Sequence, residues 1–225
     1  MNKIKFLALP FLLSFIIVLM SATHIDGDKQ TERIHRAANV LKEFGDTEES
    51  IPHDLVSQCE GIVIIPNMIN AGLGIGGKRG KGVAIVKMDN GKWSDPVFIT
   101  FTGGSIGAQI GVQSVDLVLV FRHKSVLTKV GNSDFTVGSD ASATAGPVGK
   151  TKSANTDYKM EAEIYSYSHS RGLFAGVSIN GSNLGVDKDA NHAYYGEETN
   201  PEDIFATAKS KTPAIKTLKE ALASL

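Results

Sequence analysis

From Ile106 to Gln113 the chain alternates strictly. Ile106, Ala108, Ile110 and Val112 fall on one side, and Gly107, Gln109, Gly111 and Gln113 on the other. A period of two predicts a strand. Its second face carries glycine and glutamine where a solvent face would carry charges. Two further stretches repeat the device. In 71–77, Ala71, Leu73 and Ile75 alternate with Gly72, Gly74 and Gly76; in 171–179, Leu173, Ala175, Val177 and Ile179 alternate with Gly172, Phe174, Gly176 and Ser178. Glycine weakens a strand, so rows of it predict close approach of another backbone or a ligand, or tight sheet curvature.

The same pattern assigns the rest. Ile34, Ala37, Ala38, Leu41 and Phe44 recur at helical spacing, predicting an amphipathic helix over 31–44 closed by Gly45. A second helix is expected over 52–58, with Pro52 in its first turn. Strands follow at 61–66, 71–78 and 82–88, the last two joined across Lys78, Arg79, Gly80 and Lys81. Asp89-Asn90-Gly91 marks a turn, and strands continue at 97–102, 106–113 and 115–121. Residues 122–160 read as looser, with a short strand near 134–138. A hairpin is expected from 161–169 and 172–179, continued by 181–187. Helices open at Asn200-Pro201, running to about Ser210, and at Thr212-Pro213. The fold class predicted is α+β: a curved, largely antiparallel, barrel-like sheet with helices at the N- and C-terminal ends.

Composition narrows the function more than the fold. With 42% hydrophobic and 21% charged residues and a formal charge of −1, nothing points to nucleic acid. Lys3 and Lys5 precede an apolar run from Phe6 to Met20, the layout of a secretory signal over 1–22, with an uncleaved anchor as the alternative. One domain is expected over 30–224, exported to a periplasm or secreted, and membrane-associated. Cys59 is the only cysteine and reads as a small buried side chain.

Three short motifs lack the context their chemistry needs. Gly72-x-Gly74-x-x-Gly77 resembles a dinucleotide loop, but a strand rather than a helix is expected after it. Gly103-x-Ser105-x-Gly107 resembles a hydrolase elbow, which requires strand, turn and helix; a serine hydrolase centred on Ser105 is the enzyme alternative. Asp187-x-Asp189-x-Asn191 reproduces part of a calcium loop, with His192 where glycine is required. The six histidines show no zinc spacing. No catalytic residue, metal or cofactor is assigned.

Three segments together resemble the SYLF family of lipid-binding domains: CEGIVIIPNMINAGLGIGGKRGKGVAIVK (59–87), WSDPVFITFTGGSIGAQIGVQSVDLVLVF (93–121), and SRGLFAGVSINGS (170–182) with Tyr194-Tyr195-Gly196 beyond. The resemblance implies a non-enzymatic phospholipid-binding domain, with relatives known for phosphoinositide binding and, in fungi, for actin association. It implies membrane contact by the helix 31–44, through Ile34, Leu41 and Phe44. The residues themselves suggest a basic hairpin tip of Lys78, Arg79 and Lys81 for a lipid phosphate, and glycine faces at Gly74, Gly107 and Gly111 that admit an acyl chain. The partners expected are a phospholipid or other lipid and a membrane surface. Actin is not expected, because export would remove access to it. A ligand-free structural envelope protein is the remaining alternative.

Overall fold

The computed structural model describes residues 29–47, 51–132, 135–146, 162–170, 173–174, 177–196 and 199–225. The segment read as a signal, 1–22, lies outside them. The fold is built on two very long strands, β1 (Gly61–Val86) and β2 (Val97–Phe121), paired antiparallel from Gly61↔Phe121 to Ala84↔Val97. Their connection carries the expected turn, with Gly91 at φ +75 and Lys87 bridging to Trp93.

β1 also runs back along itself. Its Lys87 end donates from the backbone N–H to the Glu60 carbonyl, 2.7 Å away. A Cβ on Gly82 would run into the Ile64 carbonyl oxygen, and one on Gly76 into that of Ala71. A Cβ on Gly72 would stand 3.1 Å from Gly76 Cα. These approaches lay the two halves of β1 side by side, with the reversal near Gly74. β2 follows the same curl from outside, and the register slips between Leu73 and Ile75. A second slip, between Ile65 and Met68, is fixed by Asn67, whose φ of 50° is a conformation asparagine tolerates. Its N–H donates to Asp116 Oδ1 at 2.7 Å.

The C-terminal arm of β2 pairs with β5 (Ile164–Ser170), which pairs with β6 (Leu173–Phe174) and lies parallel to β4 (Ala143–Ala145). The N-terminal arm pairs with β7 (Ser182–Val186), and β7 with β3 (Phe135–Thr136). Apart from β4 the sheet is antiparallel, and it curls into a half-barrel, α+β as expected. β7 does not extend the 161–179 hairpin; it crosses to the other arm.

Both faces of the arms are covered, which is why their apolar runs are continuous. Ile62, Ile64, Val118 and Val120 face α1 (29–46), α2 (His53–Gln58) and α6 (Pro213–Ala223). Val63, Ile65, Leu117 and Leu119 face α3 (Lys124–Asn132) and α5 (Pro201–Phe205). Two helices were not expected: α3, and α4 (Lys188–Tyr195). α5 stops at Phe205 rather than near Ser210 because Asp95 captures the following chain. The Asp95 N–H bonds the Thr207 carbonyl, and its carboxylate accepts from Ser210 N–H at 2.8 Å and Lys219 Nζ at 2.9 Å.

Candidate functional site

Burial along the double ribbon stops abruptly. Among the described side chains, which leave out those of Gly74 and of 105–110, Met68 and Lys78 on β1, and Phe101 and Val115 on β2, are the last buried residues before the reversal. Beyond them Ile69 is 43% exposed, Leu73 77%, Ile75 81% and Val112 72%. These are the large hydrophobic side chains exposed among the described residues. On β1, Ile69, Ala71, Leu73 and Ile75 alternate onto one face, and Val112 stands opposite Ala71 on that face. A groove of about 490 Å³ lined by Ile69, Val112, Gln113, Ser114 and Ser170 flanks it. Tight turns are ordinarily built from polar residues, so an apolar reversal in water is the feature that calls for a partner.

The residues expected to contact lipid are placed differently. Lys78, Arg79 and Lys81 form no hairpin tip: they lie within β1, opposite Gly103, Thr102 and Thr100. Lys78 is buried, its ammonium donates to the Ser178 carbonyl, and burial pushes its pKa down. Arg79 is exposed, whereas Lys81 binds Asp187 at 2.9 Å. Ile34, Leu41 and Phe44 are at most 1% exposed, packed on the sheet, with the Phe44 ring stacked on His169 at 3.9 Å. The apolar face of α1 is thus interior rather than offered to a membrane. Glycines 72 and 76 meet each other inside the curl, which leaves no room there for an acyl chain. The surroundings of Gly74 and Gly107 lie outside the described side chains; Gly111 is open and sits at φ +135.

Other motifs resolve into structure. Ser105 lies within β2, opposite Gly76, with strand on both sides and none of the helix a nucleophile elbow needs. Cys59 is buried, and burial pushes its thiol up to about 11, far from thiolate reactivity. Asp187 and Asn191 are taken up by packing: Asn191 accepts from Phe98 N–H at 2.9 Å and donates to its carbonyl at 2.8 Å. Among the described residues no three His, Cys, Asp or Glu side chains are grouped to hold a metal ion. No described helix is long and apolar enough to cross a membrane.

Asp187 is the polar keystone. Its Oδ2 receives both Arg33 Nη1 and Lys81 Nζ at 2.9 Å, tying α1 to β1, and Arg33 lies over the Phe98 ring. Together with Lys29, Arg36, Pro66 and Asn67, those two cations line a basic cleft of about 330 Å³. Its helical part, Lys29, Arg33 and Arg36, is a stripe that a helix begun at Thr31 truncates. Burial alone would push the Asp187 carboxyl up; the bonds from Lys81 and Arg33 and their charges outweigh it and hold it below the usual carboxylate range. A depressed folded pKa contributes stability that is complete above the unfolded value, about 3.9, and lost as pH falls through the folded one. Asp187→Asn is therefore expected to cost about 1.5–3 kcal/mol at neutral pH, less than a fully buried pair because Lys81 is half exposed. Urea midpoints of the two proteins should begin to converge below about pH 4 and meet only below the depressed folded pKa. A difference that persists unchanged into acid would remove the ion pair from the account.

Residues 102–225 match the family model described as "Ysc84: Las17-binding protein actin regulator". An SH3 domain-containing YSC84-like protein 1 of Xenopus laevis is 30% identical over 170 residues, covering 72% of this chain and 50% of that protein. The Homo sapiens protein of the same name is 30% identical over 177 residues, covering 76% and 52%. LAS seventeen-binding protein 3 of Saccharomyces cerevisiae is 30% identical over 184 residues, covering 80% and 40%. The chain thus spans about half the length, or less, of these curated relatives. The chain belongs to the Ysc84, or SYLF, family.

Proposed function

We propose that this is a non-enzymatic domain that attaches to lipid membranes through the reversal of the β1–β2 ribbon. The observation that carries the reading is the exposure of Ile69, Leu73, Ile75 and Val112 on one face of a projecting, charge-free turn. Full transfer of such a side chain out of water is worth about 1.5–3 kcal/mol. Three of them fully inserted would supply about 4.5–9 kcal/mol, attachment in the millimolar to micromolar range, without any headgroup pocket. The β1 face turned away from them is filled by its own backbone, so the lipid is met at a surface rather than swallowed.

Replacing Leu73, Ile75 and Val112 together by serine should lower affinity for phospholipid vesicles by at least about 100-fold, the equivalent of 2.7 kcal/mol. Stability should move by no more than about 0.5 kcal/mol, because these side chains lie outside the core. Undiminished vesicle binding by the folded variant would sink the reading.

The family description supports a second reading, attachment to the actin machinery. The expectation against actin rested on residues 1–22 alone, and the description of the family as an actin regulator points the other way. Co-sedimentation with filamentous actin, run on the same variant, separates a protein-docking tip from a lipid-docking one.

A further inference from the structure

Resting on the membrane reading, we infer how the domain lies on its membrane: it leans on the face that carries α1, and anionic lipid is drawn by charge alone into the corner between α1 and the ribbon. The first observation is that the apolar row and the cations share a face. Val83 and Ile85 pack beneath α1, so counting back along β1 by twos puts Lys81, Arg79 and Ile75 on that same face. On the outgoing half, the slip at Asn67 sends Met68 to the opposite cluster with Val115. Ile69, and after it Ala71 and Leu73, therefore also turn to the α1 side.

The second observation is where the basic cleft lies. Lys29, Arg33 and Arg36 of α1 and Lys81 of β1 meet there with Pro66 and Asn67, the root of the ribbon, two residues before Ile69. Distance decides the pose. In a domain standing upright on its tip, about six residues of ribbon would hold the cleft roughly 20 Å above the lipid, two Debye lengths away, and its charge would be screened. A plane resting on both the tip and α1, a cylinder about 10 Å thick, passes within roughly one Debye length of the corner. The apolar row then faces that plane instead of standing edge-on to it.

The third observation is how the charges of the cleft are held. Arg33 and Lys81 share Asp187 Oδ2, and Arg33 also lies over the Phe98 ring, so both are engaged inside the protein. Lys29 and Arg36 are exposed, Arg36 with Glu32 at 3.5 Å one helical turn away. Four cations thus face the carboxylates of Asp187 and Glu32, while Arg79 and Asp116 at the flanks of the ribbon offset each other in sign. The two cations at the rim are long side chains on one helix flank, not a fixed cage of donors. They attract negative charge without reading the shape of a headgroup. A basic residue near an anionic surface is worth about fivefold in affinity. Asp26, Asp28 and Arg171 border this region in sequence and lie outside the described residues; the variants below leave all three in place.

Sedimentation of the intact chain with large phosphatidylcholine vesicles, with and without phosphatidylglycerol, tests this. Phosphatidylglycerol should tighten binding at least about tenfold in about 0.1 M salt, and the gain should vanish in about 1 M, where the Debye length is about 3 Å. Lys29→Gln combined with Arg36→Gln, both at exposed positions, should shrink the gain to about threefold or less. Lys129→Gln, exposed on α3 across the sheet, should keep it. Phosphoinositide vesicles matched to the phosphatidylglycerol ones in total charge should bind within about threefold of them. Four results overturn the inference and leave the membrane reading intact: no gain from phosphatidylglycerol, a gain that survives the double substitution, a gain lost equally in Lys129→Gln, or a phosphoinositide preference beyond that margin. Failure of the chain to sediment with any vesicle overturns both.

Discussion

Gly82→Val should lower the stability of the domain by about 3 kcal/mol or more, the upper end of what overpacking costs. For a domain of this size that is a fall in melting temperature of about 6–12 °C. The reason lies in what the new side chain would meet. It would stand where the Ile64 carbonyl oxygen and the Ile65 Cα already are, and these are backbone atoms that no rotamer change can clear. The two halves of β1 would have to part, which strains the Lys87–Glu60 closure and exposes Ile62, Ile64, Val83 and Ile85 beneath α1. Gly104→Val is the control: the same residue change on β2, with nothing within 4 Å of the added Cβ, should stay within about 0.5 kcal/mol. Equal denaturation midpoints for the two variants would mean that β1 is not self-packed.

That comparison also shows where the sequence was readable. The glycine row of 71–77 did announce backbone approach, since Gly72 and Gly76 meet other backbone, whereas Gly111 of the 106–113 row is open and the close approach at Gly82 stood outside any row. The position of the reversal was not readable. Lys78-Arg79-Gly80-Lys81 has the polarity of a turn, but the chain turns at Leu73-Gly74-Ile75, where turn rules expect solvent-friendly residues. A tip that docks on a partner, as proposed above, would violate those rules for that reason. α3 did carry a signal, with Val126, Leu127 and Val130 at helical spacing and all buried, but in an element of only nine residues. α4 was hidden by Asp187, Asp189 and Asn191, which read locally as turn residues. Their roles as helix start and bridges to Arg33, Lys81 and Phe98 come from partners more than 90 positions away. No local pattern encodes such contacts.

The helix 29–46 separates fold from function most sharply. Phe44→Ala is expected to cost about 3–5 kcal/mol, the range for truncating a fully buried aromatic side chain. Phe44 is 1% exposed, stacks on His169, and belongs to the cluster that joins α1 to α2, α6 and the sheet. Its loss should leave a cavity rather than a collapsed site, because the sheet on one side is held by β2 and β5 pairing. Vesicle affinity of the folded fraction should be unchanged, since the exposed apolar side chains lie on the ribbon tip and not on α1. The competing view is that α1 leaves the domain and inserts. A bilayer would then repay the apolar face of the helix, but nothing would repay the sheet face left behind, where Ile62, Ile64, Val118 and Val120 would meet water at about 25 cal/mol for each Å² uncovered. That unrecovered term favours a docked helix. Thermal melts and vesicle sedimentation of Phe44→Ala decide the matter together. A large drop in melting temperature with unchanged lipid affinity keeps the helix structural. An unchanged melting temperature with lost vesicle binding would make α1, and not the tip, the element that meets the membrane.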